Sequence, residues 1–453
     1  MILLWATVMA FPTSAQKQAP PEGGPAKAFT VPVNETYTLP NGMMVTLVPY
    51  GNIPKATLSM ALATGSVTEG PQRVGVASLT ADLMKEGTAR LNAEQLAEAT
   101  AGMGSSLDIT AGPDQTIVRM DVLEEFAPRA VSLLADVLEH PRLPESELPR
   151  LKNNMLRRIA LDSSKPQIRA LEQFRKILYG DHPYGTVLPT EADVKKLTIA
   201  EVKDYYGANF GALRAHFYVA GKFNVAAVKG AISEAFVGWT KGNARLETPP
   251  RPKPQRILEV SDRPGAPQST LIVGLPVPSP TSPDAIPLLV TNALLGGSFN
   301  SRITANIREQ KGYTYSPRSE ISRRYHDAYW AESADVTTQV TGASLKEIFS
   351  EIDRLEKEPP SSTELKGIQN YLSGLFVIQN SSRGALIGQL QFVDLQGLGQ
   401  DYLKTYVSKV SAVTPAEVQR ITEEYLKPGE MTVVVVGDQS KMKEQLAPFQ
   451  ERK

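Results

Sequence analysis

The chain of 453 residues contains no cysteine and only four histidines. The lack of cysteine excludes disulfide bonds, thiolate zinc sites and cysteine nucleophiles. The closest two histidines, His182 and His216, are 34 residues apart, so no helix can hold zinc through two histidines one turn apart. His182 lies in an Asp-His-Pro-Tyr-Gly stretch without a nucleophile nearby, which favours a hydrogen-bonded turn residue over a catalytic base.

Other common signatures are also missing. The sequence has no G-x-S-x-G nucleophile elbow, no Walker A motif and no G-x-G-x-x-G loop. The 48 basic and 48 acidic residues give a net charge of zero, which argues against a nucleic-acid partner and a polybasic membrane patch. Apolar residues make up 42% of the chain, enough for folded cores, and no stretch after the N-terminus is apolar for long enough to cross a bilayer. From these patterns alone, no self-sufficient active site is evident.

The N-terminal segment has the pattern of an export signal. Residues 1–11 form an apolar run too short to span a membrane, and Thr13-Ser14-Ala15 is similar to a small-residue cleavage site. No Lys or Arg precedes the apolar run, so a frayed apolar terminus or a misplaced start codon is the alternative. The sequence predicts a signal peptide over 1–15, a disordered linker over 16–30 and export to the periplasm.

An internal repeat indicates two homologous domains. An offset of 216 residues separates Thr198 from Thr414, and also Gly221 from Gly437, within similar local sequences. This period is far too long for a solenoid repeat. A proline-rich linker at 246–256 separates the halves, which are therefore expected at 31–245 and 257–450.

Local patterns in the first half mix strands and helices. Turn residues and alternation predict hairpins over 37–50 and 105–122, the first around Asn41-Gly42, and a strand over 57–64. Apolar residues at helical spacing predict a helix over 76–87. Hairpins followed by runs of helices favour an α+β fold, in which helices pack on a mainly antiparallel sheet in each domain.

Six stretches in both halves carry a resemblance to a known family. They are 37–48, 75–88, 140–148, 181–190, 197–202 and 296–315. In this order, on a duplicated frame, they resemble the insulinase/pitrilysin type of zinc peptidase, in particular its two-domain bacterial and mitochondrial processing-peptidase branch. The resemblance implies two similar α+β domains arranged as half of a clamshell.

The resemblance also implies a zinc motif that this sequence has lost. In the family, a helix matching 75–87 carries H-x-x-E-H, whose histidines bind zinc and whose glutamate is the general base. Here Ser78 and Asp82 replace the histidines, and Ala81 replaces the base.

A later helix of the family supplies a third ligand, a glutamate. At that place the sequence has Arg157 and Arg158, and a guanidinium cannot ligate zinc. We therefore expect no zinc in this chain. We also expect an ion pair between Asp82 and one of the two arginines.

The second half keeps a different feature of the family. The resemblance implies that this domain contributes an arginine and a tyrosine seven residues apart, and Arg308 and Tyr315 match them. The apolar pair Ile303 and Ile307 and the stop at Gly312 predict a helix, with Arg308 near its end and Tyr315 at the next strand. A guanidinium can hold a peptide carbonyl, and a phenol can donate to a developing oxyanion. The alternative is an ordinary surface arginine and a tyrosine at the edge of the core.

The functional hypothesis is a division of labour between two subunits. This chain would bind the peptide and stabilise the transition state through Arg308 and Tyr315, and a homologous partner with H-x-x-E-H would supply zinc and the base. The chain alone should then be inactive. A catalytically inactive scaffold or peptide-holding protein of the same fold is the second hypothesis, and an independent enzyme with an unrecognised site is the third.

Overall fold

The computed structural model describes residues 30–245, 247, 249–399 and 401–450. The predicted signal peptide at 1–15 and nearly all of the predicted linker at 16–30 lie outside these ranges. None of the helices within them has both the length and the apolar character that a membrane span requires.

The first half contains one sheet and the helices packed on it. Its strands are β1 (Glu35–Thr38), β2 (Met44–Pro49), β3 (Lys55–Leu62), β4 (Asp108–Ala111), β5 (Thr116–Leu123) and β6 (Ala215–Gly221). Its helices are α1 (Val76–Met84), α2 (Ala93–Ala101), α3 (Ala127–Glu139), α4 (Leu148–Ser163), α5 (Pro166–Tyr179), α6 (Glu191–Lys196), α7 (Ile199–Asn209) and α8 (Val225–Phe236). The strand order is β1-β2-β6-β3-β5-β4, and only the β2–β6 pair is parallel.

The second half has a sheet of the same plan. Its strands are β7 (Leu258–Asp262), β8 (Gln268–Val277), β9 (Arg318–Arg324), β10 (Asp327–Thr337) and β11 (Thr432–Gly437). Its α-helices are α9 (Ala285–Asn292), α10 (Thr341–Lys357), α11 (Ser362–Gln379), α12 (Arg383–Gln396), α13 (Asp401–Ala412), α14 (Pro415–Tyr425) and α15 (Gln439–Leu446). The order is β7-β11-β8-β10-β9, and only the β7–β11 pair is parallel.

The two sheets correspond strand by strand. The order β2-β6-β3-β5-β4 of the first sheet matches β7-β11-β8-β10-β9 of the second, including the single parallel pair, and β1 is an addition to the first sheet. The predicted α+β class, with two similar domains of mainly antiparallel sheet and packed helices, is confirmed. The clamshell arrangement concerns a complex and stays a prediction.

Local sequence explains the first hairpin. Gly42 has a φ of +95°, which glycine adopts without strain, and the Asn41 side chain accepts the backbone N–H of Met43 at 3.2 Å. The strands on either side pair from Thr38 opposite Met44. The predicted turn at Asn41-Gly42 is thus where the chain reverses.

One helix of each half packs on the sheet of the other half. Helix α5 of the first half packs on the outer face of the second sheet, where the ring of Phe174 lies 5.3 Å from that of Tyr329. Helix α12 of the second half packs on the outer face of the first sheet, where Leu386 is buried against Tyr218. Both sheets are therefore covered by helices on both faces, and two apolar clusters join the halves.

Candidate functional site

Helix α1 carries the residues that stand where the family has its zinc motif. Its N-terminal backbone amides are held by Glu69, whose carboxylate accepts the N–H groups of Gly75 and Ala77, each at 2.9 Å. Burial raises the pKa of Glu69 to about 7, and the two backbone hydrogen bonds oppose this shift. The start of the helix is thus fixed by a buried carboxyl group rather than by a capping side chain next to it.

The three substituted positions differ in exposure. Ser78 is exposed, Ala81 is buried and Asp82 is half-buried. Arg158 on α4 reaches across to Asp82, with Nη2 2.9 Å from Oδ2. The predicted ion pair is therefore present, and its arginine is Arg158. Arg157 instead bonds to Asn154 on its own helix.

These side chains do not offer the ligands that a zinc site requires. Zinc in proteins takes about four ligands from thiolate, imidazole and carboxylate groups. A hydroxyl, a methyl group and one carboxylate are present here, and that carboxylate already pairs with Arg158 and with Lys85 at 3.1 Å. No group of three potential metal ligands is found elsewhere among the described residues.

The helix that carries Arg308 differs from the prediction in its winding. The segment Thr304–Gln310 is a π-helix, as is Ala293–Gly297 before it. Ile303 and Ile307 are fully buried, as the apolar spacing predicted, and Gly312 ends the helix with a φ of +65°. Wider helical turns of this kind are frequent at functional sites.

Arg308 lies between two exposed aromatic rings. Its Cζ atom is 5.0 Å from the ring centre of Tyr315 and 4.5 Å from that of Phe299, which are cation–π distances. Tyr315 is 80% exposed and Phe299 is 65% exposed. The structure thus places Arg308 and Tyr315 together, at a bend before β9 rather than in the strand itself. Sequence analysis missed Phe299, because nothing in its local pattern indicates a contact with an arginine nine residues later.

The terminal nitrogens of Arg308 are available for a ligand. Its Nε lies 3.2 Å from the Glu309 carboxylate, and within the described ranges neither Nη atom donates a hydrogen bond to another residue. The Arg308 side chain is half-buried. A guanidinium fork that is held on its faces and open at its tip can bind a carbonyl or carboxylate. The arrangement can therefore act as an oxygen-binding site.

A cavity between the halves adjoins this site. It has a volume of about 280 Å³ and lies between Gln167 and Leu171 of α5 and the residues Ser316, Arg318 and Tyr329 of the second half. Ser316 directly follows Tyr315, and β9, which begins at Arg318, is the edge strand of its sheet. The segment directly after Tyr315 thus leads to both a free strand edge and the cavity.

His182 is a turn residue, as the sequence predicts. Its Nδ1 accepts the backbone N–H of Tyr184 at 3.2 Å, at the start of a short 3₁₀ turn over Pro183–Gly185. The ring also stacks edge-on against Tyr184, with the ring centres 4.6 Å apart. These contacts fit a structural role for this histidine.

Two family models match the chain. The insulinase model (peptidase family M16) matches residues 45–190, and the model of the peptidase M16 inactive domain matches residues 196–372. The first match includes Ser78, Ala81 and Asp82, and the second includes Arg308 and Tyr315. Together the two models match most of the chain.

Similar proteins share nearly the whole length. The chain is 24% identical over 409 residues to the uncharacterized zinc protease YmxG of Bacillus subtilis, which covers 86% of this chain and 96% of that protein. It is 21% identical over 400 residues to the non-peptidase homolog YmxG of Helicobacter pylori, which covers 86% and 91%. A crystal structure of a peptidase M16 inactive domain from Pseudomonas fluorescens superposes with a TM-score of 0.81 at 23% identity, over 89% of this chain and 98% of that one. Taken with the two family models, these matches show that the chain belongs to peptidase family M16, the insulinase family.

Proposed function

We propose that this chain is the non-zinc subunit of a heteromeric M16 peptidase, and that it binds peptide and stabilises the transition state opposite a partner's zinc. The observation that carries the proposal is the pairing of the half-buried Arg308 with the exposed Tyr315, in which no described residue occupies the tip of the guanidinium. Arg308 contacts the Glu309 carboxylate through Nε, which leaves both Nη atoms without a partner among the described residues.

In this proposal, Arg308 and Tyr315 supply the two hydrogen-bond donors that peptide hydrolysis needs in addition to the metal. Arg308 would donate from its Nη atoms to a peptide carbonyl and fix the position of the scissile bond. Tyr315 would donate a hydrogen bond from its O–H to the oxyanion that forms from this carbonyl oxygen. Neither residue can deliver water or hold zinc, so the chemistry requires a second source of both.

The side chains on α1 support the proposal that a separate partner binds the zinc. Asp82 is neutralised by Arg158 and Lys85, and Ser78 and Ala81 offer no charged ligand. We infer that zinc and the general base come from a homologous chain with an intact H-x-x-E-H motif. A neighbouring reading frame of similar length with that motif is the first candidate.

The edge strand β9 supports peptide binding beside the pair. Edge strands have backbone N–H and C=O groups without a partner, and an extended peptide can add to them as a further strand. Because Tyr315 lies only three residues before Arg318, the first residue of β9, a peptide on this edge would pass the phenol. The substrate class is therefore an unfolded or extended peptide.

The test is hydrolysis of a fluorogenic peptide by this chain, by the candidate partner and by their mixture. We expect activity only in the mixture, and its loss on addition of a chelator. Turnover by the isolated chain in the presence of a chelator would contradict the proposal and favour an independent enzyme.

Variants separate the proposed role from a scaffold. Arg308→Ala and Tyr315→Phe should each lower kcat/KM of the mixture by about 10²-fold, the effect of removing one oxyanion donor, while leaving assembly intact. The matched control is Arg129→Ala, since Arg129 is an exposed arginine on α3 of the other half. If both variants retain full activity in the mixture, the chain is a scaffold or peptide-holding subunit.

A further inference from the structure

A second cavity is lined in part by Phe299, the ring that stacks on Arg308. It has a volume of about 320 Å³, and its apolar lining comes from Leu294, Phe299, Ile368 and Tyr371. Phe299 and Tyr371 are 65% and 46% exposed, although large aromatic side chains are usually buried. We call this cavity the Phe299–Tyr371 pocket.

We propose that the Phe299–Tyr371 pocket binds one large apolar side chain of the peptide whose carbonyl Arg308 holds. This inference rests on the proposed function and adds the sequence preference of the substrate. The pocket has the size and mainly apolar lining typical of small ligand sites, which begin at about 300 Å³.

The lining of the pocket offers no free charge that would favour a charged side chain as its occupant. Glu364 is the only residue with a charged side chain in the lining, and both of its carboxylate oxygens are bound by Arg302, at 2.9 and 3.0 Å. Arg302 lowers the pKa of Glu364, so the pair stays ionised and internally neutral. The lining thus has no free charge to attract a lysine, arginine, aspartate or glutamate of the peptide.

Phe299 connects the pocket to the carbonyl-binding arginine. One face of its ring stacks on the Arg308 guanidinium at 4.5 Å, and its ring also lines the pocket. Residues of an extended peptide advance by about 3.3 Å each. A side chain one or two residues from the carbonyl held by Arg308 can therefore reach the pocket.

The chain offers a way to fill the pocket without disturbing the fold. Gly367 lines the pocket from α11, and a Cβ atom added there would meet no atom within 4 Å. Gly374 lies on the same helix, is equally unobstructed and does not line the pocket. Leucine is a better helix former than glycine, so both substitutions should fold. Gly367→Leu fills the pocket, and Gly374→Leu is its matched control.

The experiment measures binding of fluorescein-labelled extended peptides to the full chain by anisotropy. The peptides are identical except for one central residue, which is Phe, Leu, Ala or Asp. We expect the Phe and Leu peptides to bind about tenfold more tightly than the Ala peptide, as burial of a large apolar side chain requires, and the Asp peptide to bind no better than Ala. Gly367→Leu should abolish the preference, and Gly374→Leu should keep it.

The outcomes distinguish this inference from the proposed function. Arg308→Ala should weaken binding of all the peptides and keep their ranking; if it weakens none while Gly367→Leu abolishes the preference, the pocket stands and the role of Arg308 fails. A preference that survives Gly367→Leu, or the absence of binding by every peptide, overturns the inference.

Discussion

Asp82 stands at a position where the family motif has a histidine, and here it joins two helices electrostatically. Its partners are Lys85, directly after α1, and Arg158 on α4. The side chain of Arg158 is 58% exposed, so solvent screens most of the attraction. The ion pair therefore lies at the position of the lost zinc motif and contributes little to the free energy of unfolding.

We predict that the coupling energy between Asp82 and Arg158 is at most about 1 kcal/mol. The measurement is a double-mutant cycle of Asp82→Ala and Arg158→Ala, with free energies of unfolding from urea denaturation. Lys85→Ala serves as the reference for the second partner. A coupling well above this value would mean that the pair is held in a less polar environment than its exposure indicates.

Glu332 is a buried carboxyl group in the core of the second half. It is 0% exposed, and neither of its oxygens has a well-formed hydrogen bond. It packs so closely on Gly296 that a Cβ atom there would lie 2.5 Å from Oε2. Burial raises the pKa of Glu332 well above 4.5, and the backbone N–H of Arg318 opposes the shift less strongly.

This carboxyl group should make the protein less stable as the pH rises. An unfolded glutamate loses its proton near its ordinary pKa, about 4.5, whereas the folded one retains it to higher pH. The contribution of Glu332 to stability is therefore complete below that ordinary pKa and is lost as the pH rises toward the raised pKa. Glu69, with a pKa raised to about 7, acts in the same direction.

We predict that Glu332→Met raises the free energy of unfolding at pH 8 by about 1–3 kcal/mol, the cost of burying an unpaired polar group. Methionine is also unbranched, and it does not titrate. Thermal unfolding from pH 5 to pH 8 should show a shallower loss of stability for the variant, whereas Glu320→Gln, on the exposed edge strand, should follow the wild type. A destabilised Glu332→Met would show that the carboxyl group accepts a hydrogen bond that matters.

At the scale of elements, the repeat is visible in equivalent helix starts. Thr198 caps α7 and Thr414 caps α14, each in a full capping box with the glutamate three residues later. The backbone N–H of Thr198 donates to Glu201 at 2.7 Å, and that of Thr414 donates to Glu417 at 2.8 Å. Because the same capping box occurs at the same place in both halves, this segment is the clearest landmark of the repeat.

We expect Thr198→Ala and Thr414→Ala each to lower the free energy of unfolding by about 1 kcal/mol, because each leaves N-terminal amides of its helix without an acceptor. Chemical denaturation measures the effect. Thr→Ser at the same positions retains the hydroxyl and should restore most of the loss; failure of serine to do so would point to packing of the threonine methyl group instead.

The two π-helical segments show where element prediction from sequence fails. Ile303 and Ile307 are both buried, so the spacing correctly identified the inner face. The wider winding of Thr304–Gln310 depends on how this segment packs against neighbouring elements, and a pattern of apolar residues does not encode it. The position of Arg308 on the helix was predictable, but its stacking between two rings was not.

At the scale of the whole molecule, the exchange of helices between the halves makes each half incomplete alone. Phe174 of α5 is fully buried against the second sheet, and Gly274 of β8 lies so close that an added Cβ atom would be 2.8 Å from the ring. In the other direction, Arg383 of α12 pairs with Asp121 of β5 at 3.3 Å. Separate expression of either half would expose a sheet face that is apolar in part.

We predict that Phe174→Ala lowers the free energy of unfolding by about 3–5 kcal/mol and that both halves lose stability together. Calorimetry and hydrogen exchange resolve the two halves. Phe299→Ala, which removes an exposed ring, should change stability by no more than about 0.5 kcal/mol. A second half that melts as before in Phe174→Ala would contradict a shared interface.

The sequence by itself determined the absences and the local features. The lack of cysteine, the spacing of histidines and the loss of the motif at Ser78, Ala81 and Asp82 are facts of composition, and they need no coordinates. The Asn41-Gly42 turn, the α+β class and the two similar domains followed from short-range preferences and from the repeat, since both are written along the chain. An ion pair of Asp82 with Arg157 or Arg158 was also predictable, because the family resemblance puts all three residues at positions of the lost zinc site.

Only the tertiary structure decided the contacts between distant residues. The choice of Arg158 over Arg157, the stacking of Phe299 on Arg308, the burial of Glu332 and the exchange of α5 and α12 all depend on which surfaces meet once the sheets are packed. Propensity and periodicity act over a few residues, whereas these contacts join residues far apart or in different turns of a helix. Their free energies depend on distance and solvent exclusion, which exist only in the folded chain.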